Sequence, residues 1–269
     1  MEWSELYLFT LIFMRMTGLV VFNPILGRNG LPNLAKAGMI MVFSVFVLNL
    51  APQRPEVPGT VLEFGLQLLL ELGVGFVLSF IMQLCFMIIQ VGGEVIDAQM
   101  GLTMAQVYDS GSQINMTVTA SLLHVLLVLV FFAENGHYTL VRIFLTSGEV
   151  LPFGQATFGQ AVASGVVDVF LSSMLLAVKL AFPILAAELL GELGMGILMK
   201  AIPQINAFVI NIELKVIIGL VLLFLFLTPM SEFLLAAEGE MLDGMSRMLT
   251  ILGTLIFMLS VNVVITAVV

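Results

Sequence analysis

Residues 72–93 read LGVGFVLSFIMQLCFMIIQVGG, a stretch without one charged side chain. A helix needs about 20 mostly apolar residues to cross the hydrocarbon core of a bilayer, and this stretch has that length. Two more uncharged stretches, Met116–Phe132 and Met248–Val269, follow it. The composition agrees with them. Of 269 residues 60% are hydrophobic, and only 10% are charged. An ordinary soluble domain is about 45–50% apolar and about 25% charged. A water-soluble enzyme of this size would need far more polar surface. Disordered, collagen-like and disulfide-stapled chains are excluded by the same figures. What remains is an integral membrane protein, or a subunit buried in a large apolar assembly.

The net charge of −9, with 9 Lys+Arg against 18 Asp+Glu, comes without any run of basic residues. That argues against a nucleic-acid surface. Cys85 is the single cysteine and sits in an apolar segment, where it reads as a small core residue. The opening Met1-Glu2-Trp3-Ser4-Glu5 lacks the basic n-region of a signal peptide, so the first hydrophobic segment is expected to belong to the mature protein.

Outward from the central stretch, hydrophobic segments run over about 6–26, 37–51, 60–91, 116–133, 164–187, 205–230 and 248–269, with a short half-segment at 136–145. Most carry charges: Arg15 in the first, Glu63 and Glu71 in the third, Asp168 and Lys179 in the fifth, Glu213 and Lys215 in the sixth. A charge at the bilayer centre costs at least about 2.5–3.5 kcal/mol. These helices are therefore expected to pack on protein or face a water path. Glu63, Gln67 and Glu71 recur every four residues and form one polar stripe. Gln83, Gln90, Glu94 and Asp97 form another. Hydrogen bonding between helices and pore lining are both open readings of these stripes.

Proline and glycine mark the breaks. Ala51 to Gly59 reads as a loop, as does the run from Pro24 to Pro32 with Gly27 and Gly30 between them. Leu151-Pro152-Phe153-Gly154 opens a third loop, and Pro203 and Pro229 interrupt two late segments. Basic residues are scattered singly, so the charge bias of loops gives no clear orientation.

Residues 91–115, VGGEVIDAQMGLTMAQVYDSGSQIN, carry the odd chemistry. They hold no positive charge and mix small, amide and apolar residues between two strongly apolar segments. Irregular backbone at membrane depth survives only inside protein or beside a water-filled cavity. The glycines would let the segment bend and its apolar members could block a channel. An ordinary loop outside the membrane fits the composition equally well.

Catalytic readings find no complete site. His124 and His137 have no partner at metal-ligand spacing and read as core or helix-end residues. Tyr108-Asp109 matches half of an intramembrane aspartyl protease site, but the partner motif is missing. Gly191, Gly194 and Gly196 are out of order for a dinucleotide loop and read as a close helix contact. The 18 methionines and 21 phenylalanines read mostly as core, with a few available as a soft seal around a passing chain.

Taken in order, the motifs resemble those of the FliR family of flagellar export-gate proteins, whose counterparts serve type III secretion injectisomes. Arg15, Pro24, Pro32 and Lys36 match the opening pattern, and Glu71 to Phe76 match its next helix. Gly92 to Leu102 match its central motif. Asn135-Gly136-His137, Pro152-Phe153-Gly154, Lys179 to Pro183 and Lys200 to Phe208 follow in the expected order. The chain departs from the pattern at Ser110, where proline is frequent, and at Lys200, where arginine is. Met104 and Val107 stand where the family can have phenylalanine, so an aromatic plug is not implied.

The resemblance implies an all-α membrane protein of helical hairpins, wound into a hetero-oligomeric pore. It implies a FliP-like part over 1–160, with the plug loop at 99–115, and C-terminal helices with a FliQ-like hairpin over 161–269. Five FliP-like and four FliQ-like chains, and the FlhB-like and FlhA-like export components, are the implied partners. Unfolded flagellar protein is the implied cargo. The implied location is the bacterial inner membrane at the flagellar basal body, with part of the assembly above the bilayer on the periplasmic side. The expected role is non-enzymatic and uses no cofactor or metal. Met104, Val107 and Tyr108 are the expected apolar closing residues, and Gly101 and Gly111 the bends that let the plug move. Glu94, Asp97 and Gln99 are the expected anchors, through hydrogen bonds between helices. The alternative is a small-solute secondary transporter using the polar stripes as a coupling path.

Overall fold

The computed structural model describes residues 3–51, 55, 57–103, 105–109, 114–201 and 207–268. Among these, helices carry almost all regular structure. They are α1 (Trp3–Val21), α2 (Asn33–Leu50), α3 (Val61–Met100), α4 (Val118–Ala133), α5 (Gly136–Val150), α6 (Gln160–Ala201), α7 (Ala207–Leu225) and α8 (Leu227–Val268). One short antiparallel hairpin, β1 (Gln106–Asp109) with β2 (Ile114–Thr117), interrupts them. The fold class is that of an all-α membrane protein. By length and hydropathy α1, α2, α3 and α6 are each able to cross a membrane, and α4–α5 and α7–α8 form two broken pairs that also qualify if each counts as one span.

Three boundaries differ from the sequence expectation. The third hydrophobic segment was expected to end near 91, but α3 continues to Met100 through Gly92 and Gly93. A glycine inside a helix costs only about 1 kcal/mol relative to alanine, and both are packed against neighbouring helices. The irregular backbone begins only at Gly101. α6 runs past its apolar window to Ala201 and through Pro183. α8 begins at Leu227, more than twenty residues before the apolar run at Met248. Met230, Leu234, Ala237, Met241, Met245, Met248 and Leu252 are among its buried members. Their three- and four-residue spacing is an amphipathic stripe, which a search for continuous apolar runs passes over. Pro229 falls in the first turn of α8, where a missing N–H removes no helical bond.

The chain divides into two compact units: Met1–Leu84, Asn135–Leu171 and Glu240–Val269 form the first, and Cys85–Glu134 and Ser172–Gly239 the second. In the first unit α1 crosses α3 at two glycines. A Cβ on Gly18 would lie 2.5 Å from the Leu72 carbonyl oxygen, and one on Gly75 would lie 2.8 Å from Gly18 Cα. The backbones touch there, and only glycine fits. The loop after α1 is tied down by Asn23, whose Oδ1 accepts from the Ile25 and Leu26 N–H groups at 2.9 Å. Lys36 Nζ donates to the Gly27 carbonyl at 2.8 Å.

Two of the interrupting charges of the first unit, Arg15 and Glu71, meet in its core. Arg15 and Glu71 are both fully buried, and Arg15 Nε donates to Glu71 Oε2 at 2.6 Å. Arg15 also donates to the carbonyls of Ser147 at 3.1 Å and Leu151 at 2.9 Å. Its guanidinium lies 4.1 Å over the Phe153 ring. Glu71 Oε1 accepts from the Gly154 N–H at 2.8 Å, at a glycine with φ of +81°. The planar fork of arginine can serve a carboxylate, two carbonyls and an aromatic face together.

Cys85 is buried in the second unit, where its thiol donates to the Ala237 carbonyl. Among the described residues the close contact expected at Gly191, Gly194 and Gly196 does not form. Among the described residues nothing lies within 4 Å of a Cβ at Gly194 or Gly196, and at Gly191 only Ile218 Cδ1 does, at 3.8 Å. Among the described residues, helix backbones approach closely at Gly18, Gly75, Gly93 and Gly253 instead.

Candidate functional site

The segment with the unusual composition resolves into a helix end and a hairpin. Gly93 faces α4 so closely that a Cβ would lie 2.6 Å from the Ala120 nitrogen. Gly92 does the same towards α6, where a Cβ would lie 2.8 Å from Leu180 Cδ2. These two glycines admit neighbours rather than bend the chain. Met100, fully buried, lies over Gly219 of α7.

α3 stops at Gly101 for a reason that is local. Gly101 has φ of +77°, a conformation glycine adopts without the Cβ penalty. The Gly101 N–H donates to the Ala98 carbonyl at 3.3 Å, and the Leu102 N–H to the Asp97 carbonyl at 2.8 Å. This pair of bonds is the Schellman termination. The expected bend at Gly101 is therefore a helix cap of defined geometry.

Asp97 does a second job. Its Oδ2 accepts from the Thr119 N–H at 2.7 Å, and its Oδ1 from the Thr119 hydroxyl at 2.5 Å. Thr119 is in the first turn of α4, and Thr117, the residue in cap position, makes no capping bond with its own side chain. Asp97 thus supplies the missing cap from another helix, with a carboxylate at the positive end of the α4 dipole. Glu94 points elsewhere: Gln90 Nε2 donates to it at 2.9 Å along the same helix. Gln99 lies half-buried on the last turn of α3.

Beyond the cap, Gln106–Asp109 pairs antiparallel with Ile114–Thr117. Val107 stands opposite Met116, and Tyr108 opposite Asn115. Met116 and Thr117 are buried, whereas Val107 is 46% exposed and Tyr108 62% exposed. The hairpin rests on its second strand and offers the first. Met104 and Gly111, the other two expected plug residues, lie outside the described residues. The strands went unanticipated because only four residues each carry the signal. Val107, Tyr108, Ile114 and Thr117 are residues that favour strands, and that was the available cue.

His124 is buried with its ring 5.3 Å from that of Phe86, and His137 lies against Tyr138 in the first turn of α5. Among the described residues no three His, Cys, Asp or Glu side chains come together as metal ligands would.

Comparison with known proteins gives one family. The sequence profile of the bacterial export proteins, family 1, matches residues 6–241. The flagellar biosynthetic protein FliR of Escherichia coli K12 is 30% identical over 229 residues, covering 83% of this chain and 84% of that protein. FliR of Bacillus subtilis is 23% identical over 252 residues, covering 91% and 95%. The Yop proteins translocation protein T of Yersinia pestis is 26% identical over 251 residues, also covering 91% and 95%. With a family profile and full-length relatives matching over most of its length, the chain belongs to the bacterial export proteins of family 1, together with the flagellar FliR proteins.

Proposed function

We propose that this chain is a non-enzymatic subunit of the flagellar type III protein export gate. It contributes helices and a plug to the pore through which unfolded flagellar proteins leave the cell across the inner membrane. Gln99 to Asn115 is the plug. Met104, Val107 and Tyr108 close it by apolar constriction, which excludes water and ions by dewetting. Gly101 and Gly111 supply the bends that let the plug move, and Glu94, Asp97 and Gln99 anchor it.

One observation carries this reading. The hairpin holds a valine and a tyrosine out to the surroundings while its base is fixed by the Gly101 cap and the Asp97–Thr119 bonds. A rigid base with an exposed apolar edge is what a plug requires, because the edge must seal against something this chain does not itself supply.

Five FliP-like and four FliQ-like chains would complete the pore, with FlhB-like and FlhA-like export components beside it. Residues 1–160 would be the FliP-like part and 161–269 would contain the FliQ-like hairpin. The exposed Leu189, Leu190, Leu193 and Ile197 along α6 support a chain built to be covered by other subunits or lipid.

The test is deletion of residues 104–108 in the co-expressed assembly, read as ion conductance across the membrane. Leak at rest is expected. An assembled particle that stays tight without these residues overturns the plug role.

A further inference from the structure

The stripe Glu63, Gln67 and Glu71 lies on one face of α3, and its innermost member is paired with Arg15. The outer two line a cavity of about 640 Å³ in the first unit. Glu149 of α5 and Gln155 share its wall, and no lysine or arginine does among the described residues. Tyr7 enters the same cavity from α1. It is only 4% exposed, and its hydroxyl is buried without a hydrogen-bond partner. The hydroxyl lies 3.6 Å from where a Cβ on Gly154, another wall residue, would be. Gln67 Oε1 is likewise buried and unsatisfied.

An orphaned buried polar atom costs about 1–3 kcal/mol, and two of them line one cavity. Both can accept a hydrogen bond, and two carboxylates lie in the same wall. Two orphaned acceptors and two carboxylates in one wall, with no basic side chain beside them among the described residues, suit a cation that donates N–H bonds. A bare metal ion does not fit: two of the four acceptors are an amide and a phenol, and the space is that of an organic ligand site. Next to it lies an apolar cavity of about 310 Å³, walled by Trp3, Leu6 and Phe64, that shares Tyr7, Val57 and Pro58 with the first. A polar chamber opening beside an apolar one suits a charged head on a hydrocarbon stem.

We propose that this double cavity binds an ammonium or guanidinium group carried on an apolar stem, with Glu63, Gln67, Glu149 and the Tyr7 hydroxyl receiving the head. That chemistry belongs both to a small organic cation in solution and to a lysine or arginine side chain of a partner subunit.

The full-length chain in mild detergent is titrated with radiolabelled butylguanidinium and butylammonium at constant ionic strength. Tetramethylammonium, a cation without N–H donors, is the comparison. The emission of Trp3, the single tryptophan, reports from the adjoining cavity. Saturable binding of both N–H cations is expected, with tetramethylammonium weaker by at least about tenfold, the scale of one charge-assisted hydrogen bond. Glu63→Gln and Tyr7→Phe should each weaken binding by about tenfold as well. Glu149→Gln, on an exposed position, provides a third variant should either of those lose its unliganded melting transition. The same titration on the co-expressed assembly separates the sources. Retained binding identifies a solution cation, and binding seen only on the isolated chain identifies a partner's basic side chain. Absence of saturable binding to the isolated chain overturns the proposal. So does equal binding of tetramethylammonium, or unchanged affinity in the folded variants.

Discussion

Arg15 makes more directed contacts than any other side chain described here, and all of them are out of water. Its ion pair with Glu71 is buried on both sides. Breaking one partner of such a pair leaves an uncompensated charge and costs about 3–5 kcal/mol. Arg15→Met should therefore lower the thermal midpoint of the solubilised chain sharply, by more than Glu71→Gln, which keeps an acceptor for the Gly154 N–H. The double variant Arg15→Met/Glu71→Leu should recover part of that loss. Full recovery is not expected, because the Leu151 carbonyl would still lack its donor. A double-mutant cycle on melting midpoints measures the coupling. At the same scale, Gly75→Ala has no room against the Gly18 backbone. It should destabilise by at least the 1–3 kcal/mol or so typical of overpacking.

The α3 terminus makes its own predictions at the scale of an element. Among the described residues nothing lies within 4 Å of a methyl group placed on Gly101. The cost of Gly101→Ala is conformational alone, about 1–2 kcal/mol for an L-residue in the left-handed region. It should loosen the helix end and hairpin without disturbing the core, and amide exchange at Leu102 should rise while exchange in the middle of α3 stays the same. Asp97→Ala removes the cap of α4 and leaves the Thr119 N–H and hydroxyl unpaired. A loss of about 1–3 kcal/mol is expected, with faster exchange in the first turn of α4. Asp97→Asn keeps an oxygen for one of the two donors and should fall between. That a helix runs through residues 91–100 was hidden by composition. Glycine weakens helices on average, but Gly93 is required here by the approach of the Ala120 backbone, and Gly92 makes room for the Leu180 side chain. Propensity is a single-residue quantity, and close packing is not.

At the scale of the whole molecule, the amount of apolar surface left outside is the property that matters. Val125 and Leu129 of α4, Leu171 and Val178 of α6, and Phe224 of α7 stand 50% exposed or more. A chain of 29.2 kDa with such faces should bind partner subunits in preference to detergent when both are present. Extracted with its co-expressed neighbours, it should run as a large hetero-oligomer containing one copy of this chain by intact mass. A stable particle made only of this chain would favour the transporter reading, and solute uptake would then become the relevant assay.

The sequence alone determined the class of the protein and most of its helices. An apolar run long enough to span a bilayer leaves few alternatives, because an unpaired backbone cannot exist in hydrocarbon. The order of motifs also carried the family, since each is quoted from a separate part of the chain. Arg15, Glu71 and Pro152-Phe153-Gly154 were legible as three motifs, but only the tertiary structure shows them to be one buried cluster. The same holds for Asp97 and Thr119. The short strands and the amphipathic half of α8 were decided by tertiary contacts as well. Four-residue strands and sparse apolar stripes carry little signal along the chain, and they become stable only when a neighbouring surface buries one of their faces.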